Sequence, residues 1–523
     1  RLAQAVLAEP VGSRSSSRAA RPALVVGRGH LAAPRVAMAG AAAHGGGAAG
    51  GQAGPSNGAA RSRSPPAQRK APRVGVGLLG LGTVGSGTAE TLIRQRELMR
   101  ERTGFDMVLT KAADLDIKRA FGFDFPPGCL TTDAQEVLTH PDIQVVIELI
   151  GGTGIAKKFV ETALTNGKSV VTANKALLAK HGSELFELAE KHTVDIHYEA
   201  AVAGGIPIIK ALREGLVANP IKSIHGILNG TCNYILTRME REGIAFDDVL
   251  KEAQRAGFAE AEPSLDVDGW DTAHKAVILA QLAFGGKYSL DDIQVKGIRG
   301  LAGQDVQYAA EFGYRIKLLA VLRRTDASGV EVSIEPTLVP KDHLLSKVDM
   351  SFNAVFVNGE VVGETMYYGR GAGRLPTASA VVADVADLAG KLVLRPQCRH
   401  DRQDRNPLRR TPNSDVTTLK RYGESKVRSY LRFELRDVAG SLAKVTGILA
   451  QHNISILALT DFLRGRPLPG ASTMLEGNLA PVVILTGDAL VSDVDTAVEA
   501  ITKLPEVGPT FARFRVEELR SEA

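Results

Sequence analysis

The sequence predicts an α/β protein in three parts: a Rossmann-like nucleotide-binding domain, a mixed α/β central domain and a C-terminal ferredoxin-like domain. Three observations predict it. An apolar run, Arg73–Leu79, enters Gly80-Leu-Gly82-Thr-Val-Gly85 and then a helical pattern. Short apolar strands keep alternating with helical segments to about residue 200, the rhythm of a parallel sheet. Beyond residue 428 the pattern reads βαββαβ.

The 523 residues are 44% apolar and 23% charged, ordinary for a soluble protein. The net charge of +5 is unevenly spread. Residues 1–70 hold ten Lys/Arg against one acid, Glu9, leaving 53 basic and 57 acidic residues beyond. A mildly acidic body lacks the concentrated basic face of a nucleic-acid binder, so no nucleic-acid partner is expected. No stretch is long and apolar enough for a transmembrane helix, so no membrane partner is expected either. Cys129, Cys232 and Cys398 are too few and scattered for a disulfide framework or a zinc site. Residues 1–72, rich in Ala, Gly, Ser and Arg, are expected from that composition to be a disordered leader. That composition reads as a transit peptide and points to the plastid stroma. The competing readings are a plain disordered extension of a cytoplasmic protein, or translated sequence upstream of Met38.

Residues 73–203 make up the nucleotide-binding domain. Gly80 provides the tight turn, Gly82 lets backbone approach a pyrophosphate, and Gly85 lets helix pack on strand. An amphipathic helical segment, Ser86 to about Glu101, follows, and N–H groups at the helix start face the anion; Thr83 and Val84 of the turn are taken as cofactor-binding with the three glycines. Asp114 and Asp116, at the end of the strand Asp106–Ala113, suit the ribose hydroxyls of NAD. Lys118 and Arg119 just beyond suit the 2′-phosphate of NADP, and both coenzymes stay open. The strand Gln144–Ile150 ends near Thr153, and Lys168–Lys175 is a further strand with a polar tip. Strand ends in a parallel sheet face the ligand crevice, which places Thr153, Thr172, Asn174 and Lys175 toward cofactor or substrate.

The segment 204–380 is the substrate-binding, catalytic and dimerisation domain. It carries the turn Asn229-Gly-Thr-Cys-Asn-Tyr-Ile235, then Ala259-Glu-Ala-Glu-Pro263, then Asp271 and Lys275. The last two are four apart in a helical stretch and share a face. Their apolar neighbours, among them Ala276, Val277 and Leu279, predict a buried pair rather than a surface one, and buried pairs are more often functional. With Glu260, the pair could bind a zwitterionic substrate at one end and protonate an oxygen at the other. Strands at Val330–Ile334, Asn353–Val357 and Glu364–Tyr368 supply an antiparallel-capable sheet. A helix over 381–395 returns to the nucleotide domain, and 396–427 is a linker.

These motifs, with Val171-Thr-Ala-Asn-Lys175, Glu199-Ala-Ala-Val-Ala-Gly-Gly-Ile-Pro207 and Gly371-Ala-Gly-Arg-Leu-Pro-Thr-Ala-Ser379, resemble homoserine dehydrogenase. The resemblance implies NAD(P)-dependent, reversible reduction of L-aspartate 4-semialdehyde to L-homoserine, on the route to threonine and methionine. It implies that Glu260 binds the substrate ammonium, that Lys275 donates the proton and that Asp271 helps hold the substrate. Lys175 would sit beside the nicotinamide as a second proton donor, and Gly373 near the cofactor. It also implies a sodium ion on Glu199, Val202, Gly204 and Ile206, and a homodimer or homotetramer. Three departures stand out: Ala113 where relatives carry Arg, Arg370 and Arg374 around a turn of usually smaller residues, and Glu262 for Asp.

Residues 428–523 resemble the ACT domain, an amino-acid-binding regulatory module. Strands at Tyr430–Leu435, Asn453–Ile456, Ala480–Thr486 and Thr510–Val516 alternate with helices at Ser441–His452 and Val491–Lys503, around a long loop at about 461–478. The resemblance implies an L-threonine effector near Val438–Leu442 and Asn453, or else a module that only oligomerises. Two rival functions remain: a non-catalytic amino-acid-sensing nucleotide-binding regulator, and another Rossmann oxidoreductase acting on an amino-acid semialdehyde. An acylating enzyme of the latter kind needs a nucleophilic thiolate, for which Cys232 is the candidate.

Overall fold

The computed structural model describes residues 71–326, 329–394, 418–461 and 479–519. The leader up to residue 70, the linker up to residue 417, the loop 462–478 and Cys398 lie outside them.

Six parallel strands form the first sheet: β1 (Arg73–Leu79), β2 (Asp106–Ala113), β3 (Leu130–Thr131), β4 (Val145–Glu148), β5 (Ser169–Thr172) and β6 (Ile196–His197). Their order is β3-β2-β1-β4-β5-β6. The order reverses between β1 and β4, so the crevice lies at their carboxyl ends. All but the first residue of β1 is buried, as expected for a strand covered on both faces. The helix Thr83–Arg94 gives way at Gln95 to a second helix, Arg96–Thr103. Where the sequence predicts a strand over Lys168–Lys175, the strand stops at Thr172 and Asn174 caps the helix Lys175–Lys191, accepting from the Leu177 N–H at 3.1 Å. A side chain that satisfies an otherwise unpaired helix N–H favours the turn over continued strand.

The second sheet holds twelve strands. Its central part comprises β7 (Ile221–Ile227), β8 (Gln294–Val295), β9 (Tyr314–Arg324), β10 (Gly329–Pro340), β11 (Phe352–Gly359) and β12 (Gly363–Arg370). After these come β13 (Thr418–Leu419), β14 (Lys426–Arg436), β15 (Ile456–Asp461), β16 (Leu479–Thr486), β17 (Ala489–Leu490) and β18 (Val507–Val516). The main path runs β12-β11-β7-β9-β10-β18-β14-β16-β15. Within it β18-β14-β16-β15, with helices Ser441–Gln451 and Val491–Thr502, is a ferredoxin-like module.

That module is continuous with the central sheet. β10 pairs in parallel with β18, Thr337 beside Arg515 and Leu338 beside Val516. The junction is charged and buried. Arg515, fully buried, bonds Glu331 and Glu517, and Arg432 forks onto Asp305 at 2.6 and 3.1 Å. Tyr430 also donates to Asp305 (2.8 Å), and Tyr422 to Glu335 (2.6 Å).

The returning helix spans Arg374–Leu394, seven residues earlier at its start than the sequence suggests. Its buried face, including Val381, Val385 and Leu388, packs into the core behind β1 with Leu78, Ala89 and Leu92. Arg374 pairs with Glu90 at 2.6 Å. The chain thus crosses back to complete the nucleotide domain.

Candidate active site

The Gly-rich turn is shaped by sterics. Gly80 has φ of +88°, and a Cβ on Gly85 would lie 1.9 Å from the Gly80 carbonyl oxygen. A Cβ on Gly82 would meet nothing within 4 Å, so that position opens outward, where a ligand approaches. Gly82 begins the helix Thr83–Arg94 without a side-chain cap. The first N–H groups, those of Thr83 and Val84 among them, are thereby left for an anion. These residues fit the pyrophosphate of a dinucleotide.

At the end of β4, Glu148 is fully buried and organises the neighbouring loop. One oxygen accepts the N–H groups of Ile150 (2.9 Å) and Gly151 (3.1 Å), and the other accepts the Thr172 hydroxyl (2.7 Å). Asn174 donates to the Gly152 carbonyl at 2.7 Å. Thr153, half-buried, follows in this loop. The sequence reading missed Glu148, because an acid ending an apolar run resembles a surface position.

Beside this crevice the central domain supplies a second cluster. Helix Trp270–Ala280 begins after Gly269, whose φ of +92° favours glycine. Its Asp271 and Lys275 are both buried. Lys275 Nζ donates to Asp271 Oδ2 and to the Leu228 carbonyl, each at 2.7 Å. Lys175, at the start of its helix beyond β5, approaches Asp271 Oδ1 at 3.2 Å. Asn229 donates to both Asp271 (2.8 Å) and Asp266 (2.7 Å), while its own oxygen accepts the Cys232 N–H (2.8 Å). Burial opposes the charge on Asp271, but Lys275, Lys175 and these hydrogen bonds outweigh it and hold the carboxyl below its usual range. Burial and the Asp271 charge raise Asp266 instead.

The structure therefore brings Lys175, Asp271 and Lys275 together, and adds Asn229 and Asp266, which the sequence reading did not single out. It does not bring Glu260 into the cluster. That side chain is exposed, with no hydrogen-bond or ion-pair partner among the described residues. Its loop is nonetheless clipped to the Asn229 turn: Thr231 donates to the Phe258 carbonyl (2.7 Å), and Phe258 stacks on Tyr234 with centroids 4.8 Å apart. Cys232 is fully buried, donates to the Asp266 carbonyl at 3.1 Å and has its thiol pushed far up by burial. It is no nucleophile.

The turn 199–206 follows β6 and abuts the 370–371 turn, the Gly205 N–H donating to the Arg370 carbonyl at 3.0 Å. Glu199 is buried and accepts the N–H groups of Ile209 and Lys210, both at 2.9 Å. Burial and the nearby Asp384 charge push its carboxyl up to about 7, against those two bonds. Ala203 and Gly204 have φ of +54° and +42°, and a Cβ on Gly204 would sit 2.5 Å from the Gly371 carbonyl oxygen. Ile206 N–H bonds to Ala203, but no backbone N–H among the described residues donates to the carbonyls of Val202 or Gly204. Two unpaired carbonyls in a tight turn fit a hard cation. Gly373, φ +125°, ends the adjoining 371–373 turn and precedes the helix Arg374–Leu394. A nearby cluster of His197, Asp384 and Asp387 is already served by cations: Lys210 lies 2.7 Å from Asp387, and Lys391 3.3 Å from His197.

Comparison with known proteins adds three family models. "Homoserine dehydrogenase, NAD binding domain" matches residues 80–199, "Homoserine dehydrogenase" matches 207–386 and "ACT domain" matches 429–460. Homoserine dehydrogenase of Neisseria gonorrhoeae is 45% identical over 85% of this chain and 99% of its own length. That of Pseudomonas aeruginosa is 42% identical over the same shares. A crystal structure of a homoserine dehydrogenase from Thiobacillus denitrificans superposes with a TM-score of 0.76 at 42% identity, covering 86% of this chain and 99% of that one. A hyperthermophilic archaeal homoserine dehydrogenase in complex with NADPH superposes with a TM-score of 0.52 at 26% identity, over 61% of this chain and 98% of that one.

Proposed function

This chain belongs to the homoserine dehydrogenase family, and from that premise we propose Lys275 as the proton donor in the hydride reduction of L-aspartate 4-semialdehyde to L-homoserine. The bound nicotinamide supplies the hydride; the Gly80–Gly85 turn, Thr153, Lys175 and Gly373 are the residues that would hold the coenzyme. The carrying observation is the arrangement of Lys275. An ammonium has three donors, and two are committed to Leu228 and Asp271. The third is available for the aldehyde oxygen, which takes up the proton as hydride reaches the carbon. Lys175 stands on the other side of Asp271, so two ammonium groups share one carboxylate. The surplus positive charge stabilises the developing alkoxide. Asp271 holds both lysines in place and contributes to substrate binding.

Glu260 is the proposed partner of the substrate α-ammonium. Its unpartnered carboxylate and its clip to the Asn229 turn support this role. A sodium ion on Glu199, Val202, Gly204 and Ile206 would stiffen the turn that abuts Gly371. Replacing sodium with choline would then lower the melting temperature. The C-terminal module is proposed to bind L-threonine near Val438–Leu442 and Asn453, and to pair with a second copy in a homodimer or homotetramer. Exposed Val438, Leu442 and Leu457 on that module support such pairing. The leader is proposed to direct the protein to the plastid stroma, testable by fusing residues 1–72 to a fluorescent reporter.

The deciding experiment follows coenzyme oxidation with aspartate semialdehyde in Lys275→Ala and Lys175→Ala. Loss of a general acid costs about 10²–10⁴-fold, expected in kcat of Lys275→Ala. Wild-type turnover there, with loss in Lys175→Ala, would move the acid to Lys175.

A further inference from the structure

The segment 348–352, which leads into β11, is fastened to the helix Gly230–Glu242. Asn233, buried in the Asn229–Ile235 motif, donates to the Met350 carbonyl at 2.9 Å, with those of Val348 and Phe352 at 3.1 and 3.2 Å. Its own oxygen accepts Lys317 Nζ at 3.1 Å, and that buried ammonium also donates to the Val348 carbonyl at 2.5 Å. The Thr237 hydroxyl accepts the Met350 N–H at 3.0 Å. Met350 has φ of +57°, a strained conformation that persists only where its surroundings over-determine it. The strap lays Ser351 and Asn353 against two turns at once. A Cβ on Gly230 would sit 2.8 Å from the Ser351 carbonyl oxygen, and one on Gly371 would sit 2.1 Å from Asn353 Cγ and Nδ2. Neither glycine has a positive φ, so this segment, not backbone conformation, requires glycine at both. Asn353 is 1% exposed, and its Oδ1 has no hydrogen-bond partner among the described residues. Nor do the N–H groups of Gly371, Ala372 and Gly373 donate to any of them.

We propose that Asn353 is a positioning residue for the reduction: its carboxamide sets the spacing between the Asn229 turn and the 371–373 turn, and its free oxygen accepts an N–H of the latter once coenzyme is seated. This role rests on the dehydrogenase reading and adds to it a residue that acts through two turns. Buried side-chain oxygens are bonded in the large majority of cases, so an unmet one beside three unmet N–H groups marks a bond still to be made. The 371–373 turn opens the helix Arg374–Leu394 and carries Gly373, the proposed coenzyme contact, so seating a coenzyme acts directly on it. On the other side, Gly230 follows Asn229, which holds Asp271, and Leu228, whose carbonyl anchors Lys275. Asn353 therefore stands between the groups proposed to hold the coenzyme and those proposed to deliver the proton. Small misplacements between such groups cost rate steeply.

The test uses the full chain as Asn353→Ala, as Gly371→Ala and with both substitutions together. Melting temperature without coenzyme reads the packing. Calorimetry with the tighter-binding of NADH and NADPH, and kcat with aspartate semialdehyde, read the positioning. Gly371→Ala should melt well below wild type, because its methyl overlaps the carboxamide. The double variant should regain that loss, because the methyl takes the vacated space. Both variants lacking the carboxamide should still bind coenzyme about tenfold more weakly, the equivalent of one hydrogen bond, and turn over about tenfold more slowly. A folded Asn353→Ala with wild-type affinity and kcat overturns the proposal. So does a double variant that regains both along with its melting temperature, since filled space alone would then suffice. Should Asn353→Ala not fold, the double variant decides, and one that melts no higher than Gly371→Ala overturns the spacing role. A wild-type chain that binds coenzyme yet reduces no semialdehyde would sink the substrate reading, while weakened coenzyme binding in Asn353→Ala would still uphold Asn353.

Discussion

Asp271 is the residue on which the proposed chemistry turns. It receives bonds from Lys275 and Asn229 and faces Lys175, so neutralising it sets two ammonium groups against each other. Asp271→Asn should lower kcat/KM by about a hundredfold or more, read from steady-state rates. Its pH signature has a definite sign. The folded carboxyl titrates below the ordinary value, so its contribution to stability is present above about pH 3.9 and is lost as pH falls toward the folded value. The difference in urea midpoint between wild type and Asp271→Asn should therefore be constant from pH 7 to 5 and shrink below 4. A difference that grew on acidification would refute the depressed titration. Asn229 was less legible than Asp271. It stands in a motif the sequence displays, yet its two hydrogen bonds, to Asp266 and Asp271, span 37 and 42 residues, and no local pattern encodes such a reach.

Among the elements, the Gly-rich turn was the most legible, because steric demands map onto residue type. Gly85→Ala tests it: a Cβ 1.9 Å from the Gly80 carbonyl forces backbone movement. Overpacking of this kind costs about 1–3 kcal/mol. The melting temperature should drop and the KM for coenzyme rise while kcat changes less. Gly82→Ala should melt near wild type yet still bind coenzyme poorly, since its added methyl meets only the approaching ligand. The helix Trp270–Ala280 was legible as buried because Ala276, Val277 and Leu279 surround Lys275. Strand ends were less so. The polar tip after Thr172 read as strand, whereas Asn174 turns it into a helix start, a competition decided by one side-chain bond.

At the scale of the molecule, the sequence predicts a regulatory module beyond a linker; the sheet that joins it to the central domain had no local trace. Arg515 and Glu331 are 184 residues apart, and each alone looks like a surface charge on an alternating strand. Breaking a buried pair costs about 3–5 kcal/mol because one charge is left uncompensated. Arg515→Ala should accordingly lower the unfolding midpoint strongly, whereas Lys503→Ala, on an exposed pair, should not. Arg432→Ala, by breaking the tie to Asp305, should also change the response of the rate to the proposed effector, measured by titrating threonine into the assay.

One consequence of the β10–β18 junction concerns what removal of the module would leave behind. A chain cut after residue 395 would bare part of one flank of β10, presenting unsatisfied amides of the kind that recruit stray strands. It would also take Arg515 from Glu331 and Glu335 and Arg432 from Asp305, leaving Glu331 with Arg323 alone. Mutual repulsion among those acids supplies a built-in guard against stacking, so the shortened protein should stay dispersed at neutral pH and clump when acidified.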